Sequence, residues 1–568
     1  MFTGATVDFG STDPPAIYDL QLKSFLPSKK IQMATSFVIG VDVGSRSARA
    51  ALVTLKGNLV RKAERPLIVR EEKGEIFEQS SNQIWEAVCE CVREVASGVG
   101  VDDIKGIGFD ATCSLVVTDS DGSGVSVSVD GDDAFNVIMW CDHRASEEAA
   151  TINKIESTVL SRVGGKISPE MEPPKLLWLK KHMPQAFARI KHAFDLPDYL
   201  TYRASGSTSR SLCSLACKWT YHEGWNTDFW REIGLPEVAE KLSMIGTGVQ
   251  APGAMVGCLS ESAAHELGLS SSTRVGHSII DAHAGVLGML GVFSQNVSSE
   301  ISSRLCIIAG TSTCHMLLSD SELFVQGVWG PYAGAIIPDM YLAEAGQSAA
   351  GMLLDHVIAS HPRHRDVAET AQKFGVHIVQ YLTQVVAHLA HSKKCSIDEL
   401  TRDLHVYPDF HGNRSPLSDP SMRGMISGLQ LSDSEHDLAL LFLATVQALA
   451  YSTKHIVSKL ESRGHRVDSV VMCGGLVKNP LYVTMHANVL QKPVLIPEEP
   501  EAVLLGAAML GARASGCFED LRESVREMSG RASARWPDLS TAAFHSKKYR
   551  VYQELLRCQM ASRVIMSD

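Results

Sequence analysis

The sequence predicts a mixed α/β protein of two large domains, and three observations carry that prediction. The chain has 568 residues, 45% of them apolar and 21% charged. That is more apolar material than one hydrophobic core holds, since cores stop growing at roughly 250–300 residues. Second, β-branched apolar runs alternate with segments of helical spacing. Third, one pattern of strand, small polar turn and strand occurs once in each half.

The elements follow in order. Phe37–Val41 is an apolar run that stops at Asp42-Val-Gly-Ser45, and a second run, Ala48 to Leu55, ends at Lys56-Gly57-Asn58: strand, tight turn, strand, turn. Ile84, Val88, Cys91, Val92 and Val95 recur at helical spacing behind Ser80 and Ser81, which are good N-caps. A strand approaches Gly106-Ile-Gly-Phe-Asp110 and continues through Leu115–Val117 to a turn at Asp119–Gly122. His277 to Phe293, rich in Ala and Gly, predicts a helix entered just after Asp281. Leu305–Ile308, the turn Gly310-Thr-Ser-Thr313 and Met316–Leu318 repeat the opening pattern. Helical spacing runs from Leu438 to Leu449, and Val467–Met472 is a strand ending at Gly474-Gly475. The predicted division is an extension over 1–36 with no role assigned, a first domain over 37–290 and a second over 291–568.

Composition narrows the function. Lys and Arg number 53 against 64 Asp and Glu, a net charge of −11. This argues against a nucleic-acid scaffold and leaves no polybasic face for anionic lipid. The densest apolar run, Ala502 to Ala512, is shorter than a membrane span and broken by Gly506 and Gly511. Thirteen cysteines without a C-x-x-C pair read as free thiols of a reducing compartment, with packing as the role of the close pairs Cys89/Cys91 and Cys213/Cys217. The first 32 residues lack the order of a signal peptide, so a cytoplasmic protein is expected. The expected partners are small molecules, not nucleic acid or membrane; a homodimer is carried without residues assigned to it.

Several segments carry chemistry. Asp42-Val-Gly-Ser-Arg-Ser-Ala-Arg49 is a turn whose backbone N–H groups at Gly44 and Ser45 suit phosphate oxygens, while Asp42 can hold a Mg²⁺ through water. Gly310, Thr311 and Ser312 form a second such turn without an acid. Gly474 and Gly475 permit close approach of a flat ligand, and Asn479 can donate to it. Gly106-Ile-Gly-Phe-Asp-Ala111 matches a dinucleotide fingerprint, but a strand-like segment follows where a helix is required. No P-loop motif occurs. Trp140, Asp142 and Arg144 place an aromatic face beside hydrogen-bonding groups, a combination that holds a small polyol. Lys218 and Glu344 stand among small or aromatic residues, unlike solvated charges. Asp281 reads, by spacing alone, as a helix cap.

In this order the motifs resemble the FGGY carbohydrate kinases, of the actin, Hsp70 and hexokinase fold group. The resemblance covers Phe37 to about Arg550, and Asp110-Ala-Thr-Cys-Ser114, Trp329-Gly-Pro-Tyr332, Glu344–Ala349 and Phe410–Pro416 resemble its ribulokinase branch. It implies two ribonuclease-H-like domains with a catalytic cleft between them, ATP and Mg²⁺ as cofactors, and a pentulose, D-ribulose first, as substrate. In that template Asp281 is the catalytic base. Cys113, Lys218, Asp281 and Glu344 face the sugar, with Trp140, Asp142 and Arg144 touching it or bracing its pocket. Asp42 lies near the metal. Gly44, Ser45, Gly310, Thr311, Ser312, Gln347, Gly474, Gly475 and Asn479 lie on the nucleotide. Ser45 stands where many members have Thr and keeps the hydroxyl. The alternatives are a kinase for xylulose, L-ribulose or glycerol, and a non-enzymatic nucleotide switch, which would not need Asp281 together with Trp140–Arg144.

Overall fold

A computed structural model describes residues 36–72 and 75–566. The expected extension therefore lies outside the described residues except for Ser36.

Two mixed sheets of seven strands carry the fold, and they share one topology. In the first, Phe37–Val43 runs antiparallel to Ser47–Thr54, which runs antiparallel to Leu59–Pro66. On its other side Phe37–Val43 lies parallel to Ile104–Ala111, which also pairs with the short parallel strand Ile279–Ile280; then come Arg274–Gly276 (parallel) and Met255–Cys258 (antiparallel). The second sheet repeats this: Arg304–Ala309 is antiparallel to Thr313–Ser319, which pairs with Tyr341–Gln347, and Trp329–Ala333 closes that edge. On the other side are Ser469–Cys473 and Val494–Pro497, both parallel, and antiparallel Ala532–Arg535. The central strands are buried along their whole length, as strands covered on both faces must be.

The predicted helices form where the caps allow. Ser80 caps Ser81–Ala96, accepting a hydrogen bond from the Gln83 amide, and Asp281 is the first residue of Asp281–Leu290. The strand Ile104–Ala111 runs through the whole of the Gly-x-Gly segment. One helix among the described residues, Glu435–Glu461, is long and apolar enough to cross a membrane. Ala502–Ala512 remains the denser apolar stretch but lies in a helix of 13 residues, whereas Glu435–Glu461 runs for 27, with Thr445, Gln447 and Ser452 interrupting its apolar run. Its apolar residues pack into the core of the second half.

Two helices tie the halves together. Ala502–Ala514, from the second half of the chain, lies against the first sheet so closely that a Cβ on Gly40 would stand 2.2 Å from the Leu504 carbonyl oxygen. It also crosses Asp281–Leu290, where a Cβ on Gly506 would stand 2.0 Å from the Ala284 carbonyl oxygen. Asp281–Leu290 in turn packs on Arg304–Ala309 of the second sheet. Only glycine permits backbones to approach to this distance. A five-stranded sheet (Arg70–Glu72, Ile76–Gln79, Val137–Ile138, Leu115–Thr118, His192–Asp195) and short helices extend the first half.

Candidate functional site

The two predicted phosphate turns are matching hairpin loops. Residues 44–46 join the first two strands, with Gly44 donating to the Ser47 carbonyl at 2.9 Å; residues 310–312 join their counterparts, with Gly310 donating to the Ser312 carbonyl at 2.9 Å. The third turn stands beside the second because Ser469–Cys473 pairs in parallel with Arg304–Ala309, Cys473 opposite Ile308. Gly474 has φ of +98°, and a Cβ there would lie 2.5 Å from the Ala309 carbonyl oxygen. Gly475 has no atom within 4 Å of its own Cβ position, so its face is open. Asn479 caps the helix Pro480–Leu490 through its side-chain oxygen, leaving Nδ2 buried without a partner.

A cavity of about 190 Å³ collects the predicted sugar-side residues Cys113, Lys218, Asp281 and Glu344, together with Trp140. Ser45 of the first turn and Ser312 of the second line the same cavity, so both turns open onto it. The Trp140 indole donates to the Ser45 hydroxyl at 2.9 Å, joining ring to turn. Lys218, at the end of the helix Leu212–Lys218, lies 4.9 Å from the centre of the Trp329 ring. Two larger clefts, of about 540 and 810 Å³, hold none of the predicted site residues.

The electrostatics separate the carboxylates. Asp281 is half-buried; burial, then the charge of Asp42, pushes its carboxyl up to about 6. Glu344 goes the other way: burial opposes its charge, but His283 and Lys218 outweigh burial and hold it at about 2. Asp42 pairs in register with Asp110 on the neighbouring strand. Arg49 donates through Nε to Asp42 at 2.6 Å and reaches Glu501 at 2.9 Å. Burial still raises Asp42, against the pull of Arg49. Asp110 is raised well above the carboxylate range by burial, then by the charge of Asp42 and a hydrogen bond shared with it, and by Asp281. Asp281 on the cavity wall thus stands in front of two deeply buried carboxyl groups, Asp42 and Asp110, while Glu344 elsewhere on the wall faces Lys218 and His283.

Two turns from duplicated sheets opening on one polar cavity is the architecture the motif order implied. Residues 37–288 match the FGGY family of carbohydrate kinases, N-terminal domain, and residues 305–515 match its C-terminal domain. The chain belongs to the FGGY family of carbohydrate kinases. The FGGY carbohydrate kinase domain-containing protein of Danio rerio is 46% identical, over 94% of this chain and 100% of that protein. The D-ribulokinase of Saccharomyces cerevisiae is 36% identical, over 92% of this chain and 78% of that protein. Among solved structures, the xylulose kinase from Rhodospirillum rubrum superposes with a TM-score of 0.74 at 21% identity, over 92% of this chain and 98% of that one.

In this FGGY kinase Asp142 and Arg144 take the bracing role of the two left open, and Gln347, expected on the nucleotide, turns inward. Asp142 and Arg144 do not line the cavity: Arg144 binds both Asp142 oxygens, reaches Glu78 at 2.9 Å and the Val127 carbonyl at 2.8 Å, and stacks 5.0 Å from the Trp178 ring. Asp142 also accepts from the Phe77 amide at 2.7 Å. With every polar atom engaged, the pair braces the wall and has nothing left for a sugar. Gln347 likewise spends its amide inside the second half, donating to the Leu449 carbonyl at 2.8 Å and accepting from Thr313 at 3.1 Å. Sequence reading missed Glu170, Trp329 and Arg414 on the cavity wall, and Asp110. Trp329, Arg414 and Asp110 stand in segments that resembled the ribulokinase branch, which is a signal for them; Glu170 had none.

Proposed function

We propose that this FGGY kinase is a pentulose kinase that transfers the terminal phosphoryl group of ATP to the terminal hydroxyl of D-ribulose, giving D-ribulose 5-phosphate and ADP. The observation that carries the reading is the single cavity holding Asp281, Glu344, Lys218 and Cys113 between Ser45 and Ser312. The relative named D-ribulokinase supports the choice of sugar.

Asp281 is the general base. Its carboxylate is far too weak to ionise an alcohol beforehand, so it accepts the hydroxyl proton late, as the new O–P bond forms, which suits a loose phosphoryl-transfer transition state. Burial helps here: a base held at about 6 is a better proton acceptor than an ordinary aspartate and is still ionised at neutral pH. Glu344 stays ionised to accept from sugar hydroxyls, and Lys218 donates to them; Trp140 and Trp329 offer flat faces to the C–H surface. The backbone amides of the two hairpin turns bind phosphate oxygens, and the open face at Gly475 with the unpartnered Asn479 amide fits a purine base.

The paired carboxyl groups of Asp42 and Asp110, beside Asp281, are the oxygen donors a divalent cation takes. Asp42 and Asp110 would hold Mg²⁺, whose chemistry is to neutralise charge on the phosphates.

The test is ADP release over a panel of D-ribulose, L-ribulose, D-xylulose and glycerol. The expected result is the highest kcat/KM with D-ribulose. A higher value with another sugar overturns the substrate, and no stimulation by any sugar overturns catalysis.

A further inference from the structure

Two thiols, with no part in the reaction proposed above, converge on His283, an imidazole that also lines the sugar cavity. Cys213 and Cys217 are four residues apart on the helix Leu212–Lys218 and so project from one face of it. His283 reaches them from Asp281–Leu290. One donor atom from each of the three lies within 4.8 Å of the others, and Cys217 Sγ stands 3.9 Å from His283 Nε2. Glu344, from a third element, brings a carboxylate oxygen to 3.5 Å from the same nitrogen. All four side chains are buried.

Packing alone does not account for this cluster: three heteroatom-bearing side chains from two helices converge in a dry interior, where apolar side chains of the same volume would fill the space without polar atoms to satisfy. His283 Nδ1 has no hydrogen-bond partner among the described residues.

We propose that Cys213, Cys217 and His283 bind one soft d¹⁰ metal ion, Zn²⁺ by ligand type, through the three donor atoms that already lie within 4.8 Å of one another. Two thiolates and an imidazole are donors that zinc accepts, at bonds of about 2.0–2.3 Å, so the donor atoms draw together by roughly 1 Å on loading, and an exogenous fourth donor completes the tetrahedron. Binding takes both sulfurs as thiolates and the imidazole neutral, so the two charges of the ion are balanced by the two thiolates.

The experiment uses full-length protein expressed in cobalt-supplemented medium, so that the ion is present as the chain folds. Expected are thiolate-to-Co²⁺ charge-transfer absorption with tetrahedral d–d bands, at one ion per chain, and displacement by Zn²⁺. The bands should persist in Cys258→Ser/Cys558→Ser, which lacks the two exposed thiols, and occupancy should fall about tenfold or more in Cys217→Ser and in His283→Gln. Two variants on different helices are used, each checked by circular dichroism, so that a folding failure in one leaves the other. Wild-type protein with reduced thiols and no charge-transfer band overturns the proposal, as do bands that survive either substitution in a folded variant.

Discussion

Replacing Asp281 with asparagine has two opposite consequences for one protein. Burial and Asp42 raise this carboxyl from 3.8 to about 6, so ionising it in the folded state costs about 3 kcal/mol more than in the unfolded chain. The sign follows from proton binding. Between pH 4 and 6 the folded protein binds the proton and the unfolded chain does not, so stability falls as pH rises through this window and stays low above it. Asparagine, nearly isosteric and uncharged, removes that penalty. At pH 7.5 the variant is therefore more stable than wild type by up to about 3 kcal/mol, and the difference shrinks to nothing near pH 4. At about 2.1 cal/mol/K per residue, a chain of this size unfolding as one unit gains about 3 °C in Tm. Turnover moves the other way: loss of a general base costs about 100-fold to 10,000-fold. The wild-type kcat/KM falls as pH drops through about 6, and the residual activity of the variant lacks that limb. Differential scanning fluorimetry across pH 4–8 and a pH–rate profile measure both effects. An Asp281→Asn Tm at pH 7.5 equal to or below wild type, or an acid limb unchanged in the variant, refutes the reasoning.

Three further outcomes follow from the same geometry. Arg144→Ala leaves Asp142 and Glu78 buried without their cation and costs about 3–5 kcal/mol by denaturant titration, while the KM for sugar of the folded fraction stays within about twofold of wild type. Gly506→Ala places a methyl group where the Ala284 carbonyl stands; the helices must separate, which costs about 1–3 kcal/mol and lowers kcat by displacing the helix that begins at Asp281. Glu344→Gln raises the KM for sugar about tenfold or more and leaves that for ATP unchanged; because Glu344 is ionised down to about pH 2, the acid limb of the pH–rate profile does not move.

The hairpin turns, the capped helices and the order of the motifs were legible because each depends on neighbours in sequence. Asp281 opened its helix where the Ala- and Gly-rich run predicted, while of the two glycines expected to admit a flat ligand Gly474 is closed by the Ala309 carbonyl and Gly475 alone faces open space. Asp142 and Arg144 show where such reasoning stops. An acid and a base two residues apart read the same whether they face a ligand or each other, and only Glu78, 66 residues away along the chain from Arg144, decides it. Gln347 was drawn inward by Leu449 for the same reason.

By itself, then, the sequence determined the two-part α/β architecture, the family, and the side chains available for chemistry, because hydrophobic period, turn residues and motif order are local properties. The tertiary structure decided which of those side chains meet. It brought Asp42, Asp110 and Asp281 together so that Asp42 and Asp281 both raise Asp110, set His283 between the Cys217 sulfur and Glu344, and laid Gly40 and Gly506 against backbone from distant parts of the chain. These are consequences of burial and of distance in space. Neither is a property of any one segment, since the cost of a buried charge depends on what the rest of the chain places beside it.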